Sequence, residues 1–276
     1  MSSEWVLETP PPQATARIKY GDDASHFGDL RLPNKNPSGL GDPKGLGTPV
    51  VINIHGGFWR AAYDLTHAGH LCQAITDLGF ATWNIEYRRI GNGGGYPNTF
   101  VDVVNAINHL QSIAPQYGLD LDRAIVMGHS AGGLMASWVG SRHVETFAKR
   151  ATSLQIKPKA IISLAGVVDL RHALKLGLSN NVVKDFIGGA PEEFPDRYAV
   201  SSPIELLPSR TKQILIHGED DDIVPIEIAQ RYVNAAIAKG DDVKLIALKG
   251  MGHFELIDPK SAAWKTVRDT IMKIFA

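Results

Sequence analysis

From residue 49 onward the chain alternates short, continuous apolar runs with longer segments of helical spacing, and this alternation restricts its fold more than any other feature. The runs cover 50–54, 80–85, 124–127, 160–164, 213–216 and 243–248. Between and after them, apolar residues recur three and four apart over 65–78, 99–113, the stretch following Ser130, 226–238 and 261–274. A strand that is apolar throughout has no solvent face, so it belongs in a sheet covered on both sides. Strands of this kind joined by helices run parallel, because each helix carries the chain back to the edge from which the next strand starts. The expectation is an α/β fold with a mostly parallel central sheet and helices on both faces. Residues 16–20 and 27–32 alternate enough to be early strands, as an antiparallel pair.

A chain of 276 residues is long enough for one large α/β domain. No low-complexity linker or internal repeat divides it, so 1–276 reads as a single domain. A formal net charge of −1 supplies no field for nucleic acid or an anionic membrane. The single cysteine, Cys72, excludes an intramolecular disulfide and sits in an apolar segment as a small core residue. Residues 1–13 lack a basic segment followed by an apolar run, and no uninterrupted apolar stretch approaches the roughly 20 residues of a membrane helix. The expectation is a cytoplasmic protein, monomer or homodimer, without membrane or nucleic-acid partners. Residues 1–14, with prolines at 10–12, should wrap the surface, and 34–48 reads as an exposed loop. The rhythm breaks over 169–208, which predicts short helices forming a small cap over the carboxyl ends of the strands.

The chemistry centres on Gly128-His129-Ser130-Ala131-Gly132-Gly133. An apolar strand precedes it and a helix opens directly after it. A strand that turns at once into a helix forces the residue at the turn into a strained backbone, and pushes its side chain out above the sheet. A serine there is a candidate nucleophile, but its hydroxyl needs a neutral histidine to take its proton. That histidine needs a carboxylate to fix its tautomer.

Both partners follow later strands, on the same sheet edge as Ser130. After 213–216 come Glu219, Asp220, Asp221 and Asp222, among which periodicity does not choose. After 243–248 comes His253, in a loop with glycines at 250 and 252. His129 neighbours the nucleophile, so its side chain points elsewhere and orients the turn. His67 and His70, three apart on a helix, are half of a metal site; without a third ligand nearby they read as surface histidines, and no metal or other cofactor is expected. His109, His143 and His172 have no supporting pattern. His55-Gly56-Gly57-Phe58-Trp59 follows the first buried strand. Its glycines let backbone N–H groups turn toward a ligand, so Gly57, Phe58 and Ala131 are candidate oxyanion donors, with His55 bracing the loop. Glu86-Tyr87-Arg88-Arg89 reads as a buttress built on a buried charge pair. Trp59, Tyr63, Tyr96 and Phe254 flank the site as candidate substrate-pocket aromatics.

Together these motifs, in the chain order nucleophile, acid, histidine, resemble the α/β-hydrolase superfamily over about residues 50–276. The run His217-Gly-x-x-Asp221-x-x-Val224-Pro225 is similar to its acid loop, which implies Asp221, with Asp222 as runner-up. His-Gly-Gly-Phe-Trp with Gly-His-Ser-Ala-Gly-Gly resembles the branch holding small carboxylesterases and kynurenine formamidases; in the formamidases of that branch Tyr or Ala usually stands at the place of Phe58. The resemblance implies a serine hydrolase with the triad Ser130, Asp221 and His253, acting on a small carboxylic ester through an acyl-enzyme. An arylformamidase acting on N-formylkynurenine is the alternative, and a ligand receptor on a hydrolase scaffold a more distant one.

Overall fold

The computed structural model describes residues 2–34, 47–141 and 153–276. After a short helix, Trp5–Glu8 (α1), the strands Ala16–Lys19 (β1) and Phe27–Arg31 (β2) form the antiparallel pair expected of them. Each apolar run becomes a strand: Thr48–Ile54 (β3), Ala81–Ile85 (β4), Leu119–His129 (β5), Ile161–Leu164 (β6), Gln213–Gly218 (β7) and Val243–Leu248 (β8). They assemble in the order β1-β2-β4-β3-β5-β6-β7-β8. β2 meets β4 antiparallel, and every pairing from β4 through β8 is parallel. All the loops that carry the candidate chemistry therefore leave from one edge of the sheet.

The interior strands β3, β4, β6 and β7 are buried almost throughout because the sheet feeds two cores. Along β3, Val50, Ile52 and Ile54 point into one cluster and Val51 into the other. The first core is closed by Asn98–Tyr117 (α3), Ala131–Val139 (α4) and Glu227–Ala238 (α8); the second by Gly69–Thr76 (α2) and Ala263–Phe275 (α9). Each large aliphatic or aromatic side chain sealed this way contributes roughly 1.5–3 kcal/mol. Cys72 is one of these core residues, and burial pushes its thiol up to about 12.

Local differences from the sequence reading have identifiable causes. The segment 65–78 is a 3-10 turn, Leu65–Ala68, running into α2, because the Asp64 side chain accepts the Thr66 N–H at 2.8 Å and tightens the entry. α3 runs on to Tyr117 with Pro115 in its last turn, where Gly118 ends it in a left-handed conformation (φ 63°). The loop read over 34–48 falls, apart from its ends, outside the described residues, as does His143. Over 169–208 the chain forms Leu170–Lys175 (α5), Leu178–Ile187 (α6), Pro195–Ser201 (α7) and the 3-10 turn Pro203–Leu206. This segment lies against the loops leaving β3 and β4: Phe186 stacks on Trp59 with ring centroids 4.2 Å apart, and its carbonyl accepts the Tyr96 N–H at 2.7 Å. Among the described residues no helix is long and apolar enough to cross a membrane.

Backbones pack closely where α4 crosses the end of β3. A Cβ added at Gly132 would run into the carbonyl oxygens of Ile54 and His55, and one added at Gly128 would meet the Gly132 carbonyl. These are backbone atoms, of the end of β3, the loop directly after it and the first turn of α4, and cannot swing aside as a flexible side chain would. Gly132→Ala should therefore cost about 1–3 kcal/mol of overpacking. At roughly 2–4 °C per kcal/mol for a domain of this size, thermal denaturation should show a clear drop in midpoint. An unchanged midpoint would show that the contact is not tight.

Candidate active site

β5 ends at His129 and α4 begins at Ala131, so Ser130 alone makes the turn, with φ 56° and ψ −118°. A non-glycine residue held at such angles costs about 1–3 kcal/mol, so the surroundings must pin it. The Ser130 N–H donates to the Leu164 carbonyl at 2.8 Å, and the Ser130 carbonyl accepts the Leu134 N–H at 3.2 Å. The hydroxyl group stands at the amino end of α4, where the helix dipole favours negative charge.

Across the sheet edge, His253 Nδ1 lies 2.7 Å from Asp221 Oδ2. The other Asp221 oxygen accepts the N–H groups of Ile223 and Val224 at 3.0 and 2.8 Å. Burial alone would raise the Asp221 carboxyl; hydrogen bonds from His217 and His253, the charge of His253 and the Val224 amide outweigh it and hold the group well below the usual carboxylate range. Glu219, Asp220 and Asp222 are exposed. Of the four acids in this loop, Asp221 is thus the one that faces the histidine as a carboxylate.

Two more histidines complete this side. His129 Nε2 donates to the His253 carbonyl at 3.0 Å, and the two rings lie 4.4 Å apart. Burial first, then the charges of His253 and His67, keep His129 neutral. It holds the main chain of His253 as well as the serine turn beside it. His217 is buried behind Asp221; its Nε2 donates to the Val224 carbonyl at 2.7 Å and lies 3.5 Å from Asp221 Oδ2. Sequence reasoning used His217 only as part of a motif, since a histidine inside a buried strand carries no signal of what it touches.

The loop after β3 borders the serine closely: a Cβ on Gly56 would come within 3.1 Å of Ser130 Cβ. Gly57, Phe58 and Trp59 all have positive φ (104°, 50° and 56°). Positive φ at three residues running turns the loop sharply after β3, and Gly57 and Phe58 line the cavity beside Ser130. Glu86 supports this loop. Its carboxylate accepts from His55 Nε2 at 3.1 Å, from the Tyr87 N–H at 2.8 Å and from the Leu65 N–H at 3.0 Å, and it pairs with Arg89 at 3.1 Å. Arg89 in turn donates to the Tyr63 carbonyl. Burial raises the Glu86 carboxyl, but His55, Arg89 and the Tyr87 amide together lower it below its ordinary value. Arg88 points away, to the wholly buried Asp102 of α3.

A cavity of about 120 Å³ joins these groups. Ser130, His129 and His253 line it together with Gly57 and Phe58 of the β3 loop. Tyr63 and Phe254 also line it, and so do Ile223, His67 and Leu7. Trp59 and Tyr96 do not. Trp59 is fully buried against Phe186, and Tyr96 packs on Phe100 and lies beneath the Arg197 guanidinium. His67 corrects the sequence reading. It is buried in the cavity wall, not on the surface, because the 3-10 turn rotates it inward against His55, 5.6 Å away ring to ring. His70 stays outward, against Trp5 and the Thr9 carbonyl.

Comparisons with known proteins bear on the family and the fold. The BD-FAE family model matches residues 41–235. A probable isoprenylcysteine alpha-carbonyl methylesterase of Oryza sativa subsp. japonica is 25% identical over 96% of this chain and 64% of its own length. The esterase LipC of Mycobacterium tuberculosis is 26% identical over 88% of this chain and 60% of its own. The chain thus spans under two thirds of these relatives. Among solved structures, a truncated carbohydrate esterase from gut microbiota superposes with a TM-score of 0.80 at 23% identity, covering 97% of this chain and 99% of that one. Esterase B of Lactobacillus rhamnosis gives 0.82 at 17% identity, covering 99% and 89%. At these identities the likeness establishes the fold, that of the α/β-hydrolases.

The buried His67 makes the protein acid-sensitive. Burial first, and the charge of His55 second, lower its pKa to about 3, against about 6.5 for a histidine in an unfolded chain. Between these values the unfolded state binds a proton that the native state refuses, so stability falls as pH falls through the window. The urea midpoint should drop between pH 7 and pH 4.5, and should drop less in His67→Phe. Equal drops in the two proteins would remove His67 as a cause.

Proposed function

The chain belongs to the BD-FAE family, and from that premise we propose that it is a carboxylic ester hydrolase working through a Ser-His-Asp triad and an acyl-enzyme. The observation that carries the reading is the Asp221–His253 pair at 2.7 Å, opening into the same cavity as a serine held in a strained strand-to-helix turn. Relatives named as esterases support the reaction class. Ser130 Oγ attacks the acyl carbon while His253 Nε2 takes its proton. Asp221 keeps the Nδ1 proton in place and stabilises the imidazolium. The carbonyl oxygen, now an anion, is received by the amides of Gly57, Phe58 and Ala131 at the amino end of α4. The intermediate collapses, the C–O bond to the alcohol breaks, and His253 returns its proton to the departing alkoxide. Water then attacks the acyl-serine with His253 again as base, and the carboxylic acid leaves. Side chains and backbone amides supply every group the reaction needs, so it requires no cofactor.

Ser130→Ala should lower turnover of p-nitrophenyl acetate at least a thousandfold, and Asp221→Asn by about 10³–10⁴-fold through loss of the correct histidine tautomer. The wild-type kcat/KM on that ester should exceed the value on N-formylkynurenine. Near-wild-type hydrolysis by purified, folded Ser130→Ala would sink the assignment.

A further inference from the structure

We infer that the amino-terminal helix α1 is part of the substrate site, and that Leu7 sets how long an ester substituent the cavity beside Ser130 accepts; the inference rests on the esterase reading above. α1 has only four residues, far too few to be stable alone, yet contacts along its length hold it in one place. The Ser3 hydroxyl donates to Asp258 Oδ2 at 2.8 Å, with both groups buried. The Trp5 ring lies 4.5 Å from the ring of His70 and beneath Lys260 Nζ, 3.6 Å from its centroid. Val6 is sealed in the second core, and the Thr9 carbonyl faces His70 Nε2 at 2.9 Å.

These anchors belong to two separate walls of the cavity. One is the Leu65–Ala68 turn with α2, which carries His67; the other is the 3-10 turn Phe254–Ile257 and the loop after it, next to His253. α1 bridges them. Between the buried Val6 and the surface Glu8, Leu7 keeps 39% of its area exposed and lines the cavity together with His67, Tyr63 and Phe254. An apolar side chain held half in the open by fixed neighbours on either side gains its burial when an apolar substituent lies against it.

The space beside Ser130 is small. At about 120 Å³ it lies well below the ~300–1,000 Å³ of pockets for drug-sized ligands. A substituent of a few carbons fills it, and a longer one meets Leu7. The chemical class that fits is a short-chain ester. Discrimination of this kind is set by methylenes, each worth roughly 10- to 200-fold in a tight apolar pocket.

The test uses the full chain and two substrate series, p-nitrophenyl esters from acetate to octanoate and acetate esters from methyl to hexyl. The readouts are the hexanoate-to-acetate and hexyl-to-methyl ratios of kcat/KM. Leu7→Ala should raise at least one ratio threefold or more, and Leu7→Trp should lower that same ratio. Both variants should keep the wild-type thermal midpoint, since Leu7 is partly exposed. If Leu7→Ala leaves both ratios within threefold of wild type, or Leu7→Trp moves the affected ratio upward, the inference is overturned. Absence of Ser130-dependent hydrolysis of every ester in the wild type is a different result: it brings down the esterase reading, and this inference with it.

Discussion

The close approach of α4 to the carboxyl end of β3 is the constraint on which the site depends. Because Gly132 leaves no room for a side chain against the Ile54 and His55 carbonyls, the first turn of α4 packs directly on the start of the 55–59 loop. That contact sets the strained Ser130 turn beside Gly57 and Phe58, which line the same cavity. The strain is small beside the burial energy of the surrounding strands, so the fold holds it without difficulty.

Buried polar groups then orient what the packing brings together. Glu86 ties the loop after β3 to the start of the Leu65–Ala68 turn, because a buried carboxylate must have its lone pairs satisfied and His55 and Leu65 supply donors from those two segments, while its neighbour Arg89 extends the network to the Tyr63 carbonyl. On the far side, Asp221 plays the same part for His253 and its own loop, with His217 behind it. His129 links the two halves through the His253 carbonyl. The cavity is thus framed by hydrogen bonds whose partners lie far apart in the chain.

Much of the architecture was legible from apolar periodicity. All six apolar runs are strands and pair with one another in parallel, the antiparallel pairings being β1–β2 and β2–β4. Boundaries were less legible: α2 starts late because one aspartate side chain captures a backbone N–H, a local competition that periodicity does not register. The motif residues Ser130, His253 and the acid loop share one sheet edge because each directly follows a strand of a parallel sheet. Trp59 and Tyr96 look like pocket aromatics by position, but they turn to the α6 and α3 side. His67 looks like a surface residue and lies in the cavity wall. In each case the deciding factor is the rotation of a short irregular segment about its own axis, which has no period for a sequence to display.

The sequence by itself determined the order of strands and helices, the strained place of Ser130 between a strand and a helix, and the presence of an acid loop and a histidine loop on the same edge. These follow from short-range regularities: burial on both faces, period, and glycines where backbones must touch. Motif resemblance pointed to Asp221 where periodicity did not choose, and the tertiary structure is what puts it against His253 at 2.7 Å, turns His67 inward and brings residue 7, more than a hundred positions before Ser130, into the cavity wall beside it. Those outcomes depend on contacts between distant segments, and such contacts are settled when the sheet, the helices and the amino-terminal strap compete for the same buried space.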